Sequence, residues 1–295
     1  MRKWAWTVLA AMGILAFTLA GCAPAADGQA ADGGQEKESV EQTEEETAEP
    51  EQASAASEGT VDVSEIIRLD AVDAFAAGNE EQGIIYLTTA ATMGNPEAAG
   101  QLGELYQLAF NGYELRGGKD YEKAMAWDRI AADLGNPRGY TNMGILYYNG
   151  WGVEQDLETA ISYFTTATEQ GDMKGPRYLG LSYEAVEDYE NAAKYYEAAY
   201  NTGDITGGEK LARLYLDGLG VEQDAAKALE IYENTVAGAN GNHVAALCAY
   251  QAGYLYENGI GTDADTEKAT EYYDIAIEMG SEEAETARAN LANLG

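Results

Sequence analysis

The chain has 295 residues and a net charge of −34, from 17 Lys or Arg, 51 Asp or Glu and a single His. So acidic a composition excludes nucleic acid as a partner, because phosphate binding needs clustered positive charge. One His also excludes a histidine-built zinc site, and the two Cys are too few for a disulfide scaffold.

Met1-Arg2-Lys3 is a short basic start and Trp4 to Ala20 an apolar run, the layout of a secretory leader. Leu19-Ala20-Gly21-Cys22 resembles the bacterial lipoprotein cleavage box. That resemblance implies cleavage of residues 1–21 and a diacylglycerol on Cys22, whose two acyl chains suffice for stable anchoring. The alternative is an uncleaved anchor, since the run is near the lower length limit for spanning a bilayer. Residues 22–60 then form an acidic linker, with eleven Asp or Glu between Ala23 and Thr60 against the single Lys37. Such a composition buries too little apolar surface to offset its ordering entropy, so a disordered linker is expected. It is read as a stalk or as a solubilising tail.

From Val61 the composition changes, although fourteen Lys or Arg against forty Asp or Glu still leave −26. A small residue after an apolar one, with a Tyr three positions on, recurs at Leu102-Gly103/Tyr106, Met143-Gly144/Tyr147, Leu179-Gly180/Tyr183, Leu211-Ala212/Tyr215 and Ala252-Gly253/Tyr256. The spacings of 41, 36, 32 and 41 residues fall in the range of helical repeats. Each unit reads as a helical hairpin. Its second helix carries Ala-x3-aromatic-x2-Ala, as at Ala192/Tyr196/Ala199 and Ala269/Tyr273/Ala276. Ala124/Asp128/Ala131 breaks that pattern in the middle, where Trp127 is expected to take over.

Between the helices lie Asn149-Gly150-Trp151-Gly152-Val153-Glu154-Gln155-Asp156, Asp217-Gly218-Leu219-Gly220-Val221-Glu222-Gln223-Asp224, and a weaker copy at Asn258-Gly259-Ile260-Gly261 with Asp265. On these loops and the flanking Leu-Gly-x2-Tyr and Ala-rich helices, the chain is identified as a member of the Sel-one-like repeat family, a branch of the tetratricopeptide-repeat superfamily. The resemblance implies an all-α, right-handed solenoid over 61–295, with units near 64–95, 96–136, 137–172, 173–204, 205–240 and 241–281 and a closing helix at 282–294. The fourth unit lacks the glycine loop and joins its helices through Glu187-Asp188-Tyr189.

No catalytic constellation emerges. His243 follows Gly241-Asn242 at a helix start, where an exposed polar residue is the ordinary explanation, and Asp263, Asp265 and Glu267 lack the remainder of a calcium loop. Neither a metal site nor a cofactor is expected, and the chain reads as a non-enzyme. Cys248, in the run Val244–Ala249, reads as a small buried residue.

The resemblance implies that the first helices line a concave groove. Positions two and five on either side of the Leu of each Leu-Gly pair form a stripe there: Arg138, Thr141, Ile145 and Tyr148; Lys174, Arg177, Leu181 and Glu184; Thr206, Glu209, Arg213 and Leu216. Four bases and two acids in a region of −26 suggest capture of an acidic or carboxylate-terminated protein segment, with Ile145 and Tyr148 as apolar contacts. Tyr250 and Tyr254 also lie off the core face and join the candidates. Because Arg177 and Arg213 lie off that face, their reversal to Glu is expected to spare stability. The alternative is that these cations neutralise acidic neighbours within the array. The expected function is a lipid-anchored, extracytoplasmic scaffold that recruits a partner protein. A ligand-binding or sensing lipoprotein serving membrane transport or envelope machinery is the alternative.

Overall fold

The computed structural model describes residues 61–108, 114–239 and 241–294. These belong to one unit of the chain, Glu58–Gly295. The leader, Cys22 and the acidic linker lie outside the described residues.

Every described element is helical. The hairpins are α1 (Val63–Ala76) with α2 (Glu80–Thr92), α3 (Pro96–Gln107) with α4 (Tyr121–Asp133), α5 (Arg138–Asn149) with α6 (Leu157–Glu169), α7 (Gly175–Ala185) with α8 (Tyr189–Asn201), α9 (Ile205–Asp217) with α10 (Ala225–Ala237), and α11 (His243–Asn258) with α12 (Thr266–Glu278). A closing helix, α13 (Glu282–Leu294), packs on α12. Each helix packs on the next in sequence, as stacked repeats require.

The recurring sequence signs have separate physical jobs. Within a hairpin the small residue of the Leu-Gly pair lies under the second-helix aromatic: Gly144 under Phe164, Gly180 under Tyr196, Gly253 under Tyr273. The loop Gln turns back to the end of the first helix, Gln155 Nε2 donating to the Tyr148 carbonyl at 2.8 Å and Gln223 Nε2 to that of Leu216 at 2.6 Å. The Asp that follows caps the second helix, Asp156 accepting the Thr159 amide at 3.0 Å and Asp224 that of Lys227 at 2.9 Å.

Between repeats, the position four before the Leu faces the preceding second helix and must be small. Gly139 lies against the Asp128 carbonyl, Gly175 against Thr168 and Gly207 against Ala199. Cys248 and Ala98 hold the same register, both 0 % exposed. This explains the buried thiol as a packing residue, and burial pushes its pKa up to about 12.

A second inter-repeat contact comes from the glycine loops. Gly152 packs on Tyr121, Gly220 on the Tyr189 carbonyl and Gly261 on the Ala225 backbone, each at the start of the preceding repeat's second helix. These glycines have φ of +71°, +70° and +74°, so both backbone and space demand the absence of a side chain. The fourth repeat, without such a loop, turns instead at Glu187, whose φ of 61° makes it the one non-Gly residue with positive φ among the described residues.

One expectation about the core needs correcting. Asp128, not Trp127, takes the aromatic position of α4, with its carboxyl lying over Gly103 at 0 % exposure. Trp127 is half-buried and packs on the apolar cluster shared by the first and second repeats. The two residues are consecutive on a helix, about 100° apart, so both cannot point to one site.

Candidate partner-binding face

The first helices α3, α5, α7, α9 and α11 contact one another as well as their hairpin partners. That side-by-side packing decides what the expected stripe can present. Of the positions two residues from the Leu, three are buried, Thr141 at 1 % exposed, Ile145 at 6 % and Glu209 at 8 %, while Arg177, Leu181 and Arg213 stay partly open. Ile145, expected as an apolar contact for a partner, is instead a core residue packed with Ala160, Phe164 and Leu179. The positions five residues away remain partly open.

Each of the four expected cations sits on a carboxylate. Arg138 Nη1 lies 2.8 Å from Glu97 and 3.7 Å from Glu104, and Lys174 Nζ lies 3.8 Å from Glu104. Arg177 Nη1 is 3.1 Å from Asp204, the N-cap of α9. Arg213 Nη2 is 2.5 Å from Glu184, which also receives Lys210 Nζ at 3.7 Å and the Tyr196 hydroxyl. Most of these pairs join helices of successive repeats, so they cross-link the array as well as decorating its face.

The acids that matter lie largely outside the three central repeats. Glu97 and Glu104 stand five before and two after Leu102, in the same register as Arg138 and Ile145. Extending the stripe to α3 and α11 adds Glu97, Glu104 and Glu257, and the apparent excess of positive charge disappears. What remains is a face of nearly balanced charge on an acidic body.

The aromatic candidates differ among themselves. Tyr148 is half-buried, and its phenol pKa is raised by burial and by the charge of Glu184. Tyr250 is also half-buried, tilted against Tyr273 with ring centroids 5.9 Å apart. Tyr254 is 44 % exposed and, with Leu247 at 37 %, gives α11 an open apolar seam. The structure therefore does not unite the eight candidates into one pocket. It places the paired cations along α5, α7 and α9, and the open apolar surface on α11.

Elsewhere, a cleft of about 530 Å³ lies where Ile84 of α2, Tyr106, Leu115, Lys119 and the start of α4 converge. Lys119 Nζ lies 5.1 Å from the centre of the Trp151 ring, which itself stacks on Tyr121 at 5.6 Å. Among the described residues no group of three or more His, Cys, Asp or Glu side chains is placed to hold a metal ion. No described helix is long and apolar enough to cross a membrane.

The family comparison follows the same register. The Sel1 repeat matches residues 75–95, 96–136, 137–172, 178–204, 209–234 and 246–281, which together exceed half of the chain. The chain belongs to the Sel1-repeat family. Among solved Sel1-type structures, it is similar to a protective antigen of uropathogenic Escherichia coli strains that displays an SLR fold, at 25% identity and a TM-score of 0.63 over 79% of this chain and 49% of that one. This chain thus spans about half the length of that protein. A Sel1 repeat protein from Oxalobacter formigenes is similar at 24% identity and a TM-score of 0.60, over 76% of this chain and 87% of the other. The type IV pilus biogenesis factor PilW shares the fold at 18% identity and a TM-score of 0.51, covering 76% and 98% of the two chains. Sel1-repeat arrays are helical scaffolds of the kind used in protein–protein interaction.

Proposed function

We propose that this Sel1-repeat array is a non-enzymatic scaffold that docks a partner protein along its first-helix face, tethered to the extracytoplasmic side of a membrane through a lipid on Cys22. The observation that carries the docking reading is the continuity of that face. Five first helices lie side by side, with Arg138, Lys174, Arg177 and Arg213 on α5, α7 and α9 and an open Leu247–Tyr254 seam on α11. Because every one of these cations already contacts a carboxylate, an acidic or carboxylate-terminated segment binds by exchange, taking the place of Glu104 or Glu184. Exchange of exposed pairs gains little, about 0–1 kcal/mol each, so Tyr148, Tyr250 and Tyr254 supply the remaining contact. Binding weakens as salt rises.

The pairing also changes what charge reversal does. Arg177→Glu together with Arg213→Glu sets carboxylates against Asp204 and Glu184, and should destabilise the array by about 1–3 kcal/mol, between the limits for surface and buried pairs. Neutral Arg177→Gln/Arg213→Gln should keep most of the stability and lose capture of the partner in crosslinked pull-downs. Full capture by the neutral variant would remove the cations from the docking face.

For the tether, Cys22→Ser should block both leader cleavage and lipid labelling, leaving a precursor that runs larger on a gel. Wild-type processing of that variant would end the lipoprotein reading. The anchor places the array on the plasma membrane of a monoderm, or on the outer membrane if a diderm sorts it there.

A second reading, a ligand-binding or sensing lipoprotein, is favoured by the 530 Å³ cleft beside Lys119 and Tyr121, whose size lies within the range of small-molecule sites.

A further inference from the structure

The second repeat differs from the others in the chemistry of its core. Where α6, α8 and α12 bury Phe164, Tyr196 and Tyr273, α4 buries Asp128. One carboxyl oxygen, Oδ1, accepts from Asn142 Nδ2 at 2.8 Å, while Oδ2 is buried with no partner. Three further buried oxygens without a donor lie on the two helices packed against α4: Gln101 Oε1 and Gln107 Oε1 on α3, and Thr141 Oγ1 on α5. Gln107 Nε2 donates to the Asn142 carbonyl at 3.3 Å, so the amides of both neighbouring helices are tied to the same junction. Asp128 is thus closed to solvent, with nothing donating to Oδ2. A carboxylate there would be a desolvated charge held by one neutral amide, whereas a carboxylic acid carries no charge to desolvate.

The surrounding charges point the same way. From α3 the charged group that faces Asp128 is Glu104, a like charge. From α5 the group in contact is the neutral Asn142, and that helix's one cation, Arg138, is drawn to Glu97 and Glu104. On α4 itself the adjacent Arg129 is exposed. Among the described residues no cation is paired with the Asp128 carboxyl.

We propose that Asp128 is a proton-binding site of the array, carried as the neutral acid when the second and third repeats are stacked, and that loss of this proton loosens the α3–α4–α5 joint. Burial, the larger cause, together with the Glu104 charge raises the folded-state pKa well above the usual carboxylate range, against the opposing hydrogen bond from Asn142. The sign follows. A group whose folded pKa is raised binds its proton more tightly folded than unfolded, so its contribution is fully present below the unfolded pKa near 4 and is lost as pH rises through the folded pKa. Because Glu104 links α3 to Arg138 and Lys174, the same proton biases the spacing of the first-helix face.

The test is unfolding of the full chain from pH 4 to pH 8, wild type against Asp128→Asn. The amide keeps the shape and cannot ionise. Its advantage over wild type should grow with pH across the window, by up to tenfold in the unfolding constant per pH unit, while the repulsion of the other acids is common to both chains. In a difference infrared spectrum at neutral pH, wild type should show a protonated-carboxyl band that the Asn chain lacks. Parallel stability curves for the two chains, or a carboxylate band in place of the acid band, would overturn the proposal. If Asp128→Asn folds poorly, the infrared band of wild type decides alone.

Discussion

Gly220→Ala should be among the most damaging single-methyl changes available to this protein. The residue has φ +70°, and a Cβ there would run into the carbonyl of Tyr189, at the first turn of α8. The left-handed backbone costs a non-glycine residue roughly 1–2 kcal/mol, and overlap with backbone that cannot swing away adds about 1–3 kcal/mol. Gly203→Ala is the control. Gly203 also has positive φ, +85°, but a methyl group there meets nothing within 4 Å. Denaturant unfolding should therefore show Gly220→Ala losing clearly more than Gly203→Ala, with hydrogen exchange accelerated first in α8, on which the loop packs, and in α9 and α10, which it connects. Equal losses in the two variants would mean that the loop does not brace the preceding repeat. Because stability in a stacked array is close to a sum of repeat and interface terms, the far repeats should keep their protection.

The second large effect is expected at Tyr196. Its side chain is 0 % exposed, its ring lies over Gly180, and its hydroxyl donates to Glu184. Tyr196→Ala removes the ring from a place that glycine has shaped around it, and should cost about 3–5 kcal/mol, the range for truncating a buried large aromatic side chain. Tyr196→Phe keeps the ring and removes only one donor to a charged acceptor, about 1.5–3 kcal/mol. Glu184 still holds Arg213 and Lys210 in that variant, which favours the low end. Chemical denaturation of the two variants separates ring from hydroxyl. An Ala variant no weaker than the Phe variant would show that the polar contact, not ring packing, holds the fourth hairpin together. The same comparison bears on docking, since Glu184 orients Arg213 on the first-helix face.

The repeat architecture was legible in the sequence because each sign has a short-range cause. The pairing of a small residue with an aromatic one helix later, as at Gly180 and Tyr196, follows from helical register alone. The Gln-Asp pairs at Gln155-Asp156 and Gln223-Asp224 act within a few residues, one on the carbonyls just passed and the other on the amides to come. Even Cys248 could be read as buried, since its neighbours are small and apolar.

The face of the array was another matter. A stripe drawn on one helix specifies direction but not what stands opposite, and that depends on residues 29 to 41 positions away, as in Glu184–Arg213 and Glu97–Arg138. Only the stacking of first helices decided that Ile145 is core, that the four cations are paired, and that the open seam lies at Leu247 and Tyr254. Asp128 marks the same boundary from inside. The residue order alone reveals the broken α4 pattern, but it took the packing of α3 against α4 to put the carboxyl in place of the ring. Local rules set helix, loop and repeat, because hydrogen bonds and steric limits act over a few residues. Charge and burial depend on the whole neighbourhood, which exists only once the repeats have stacked.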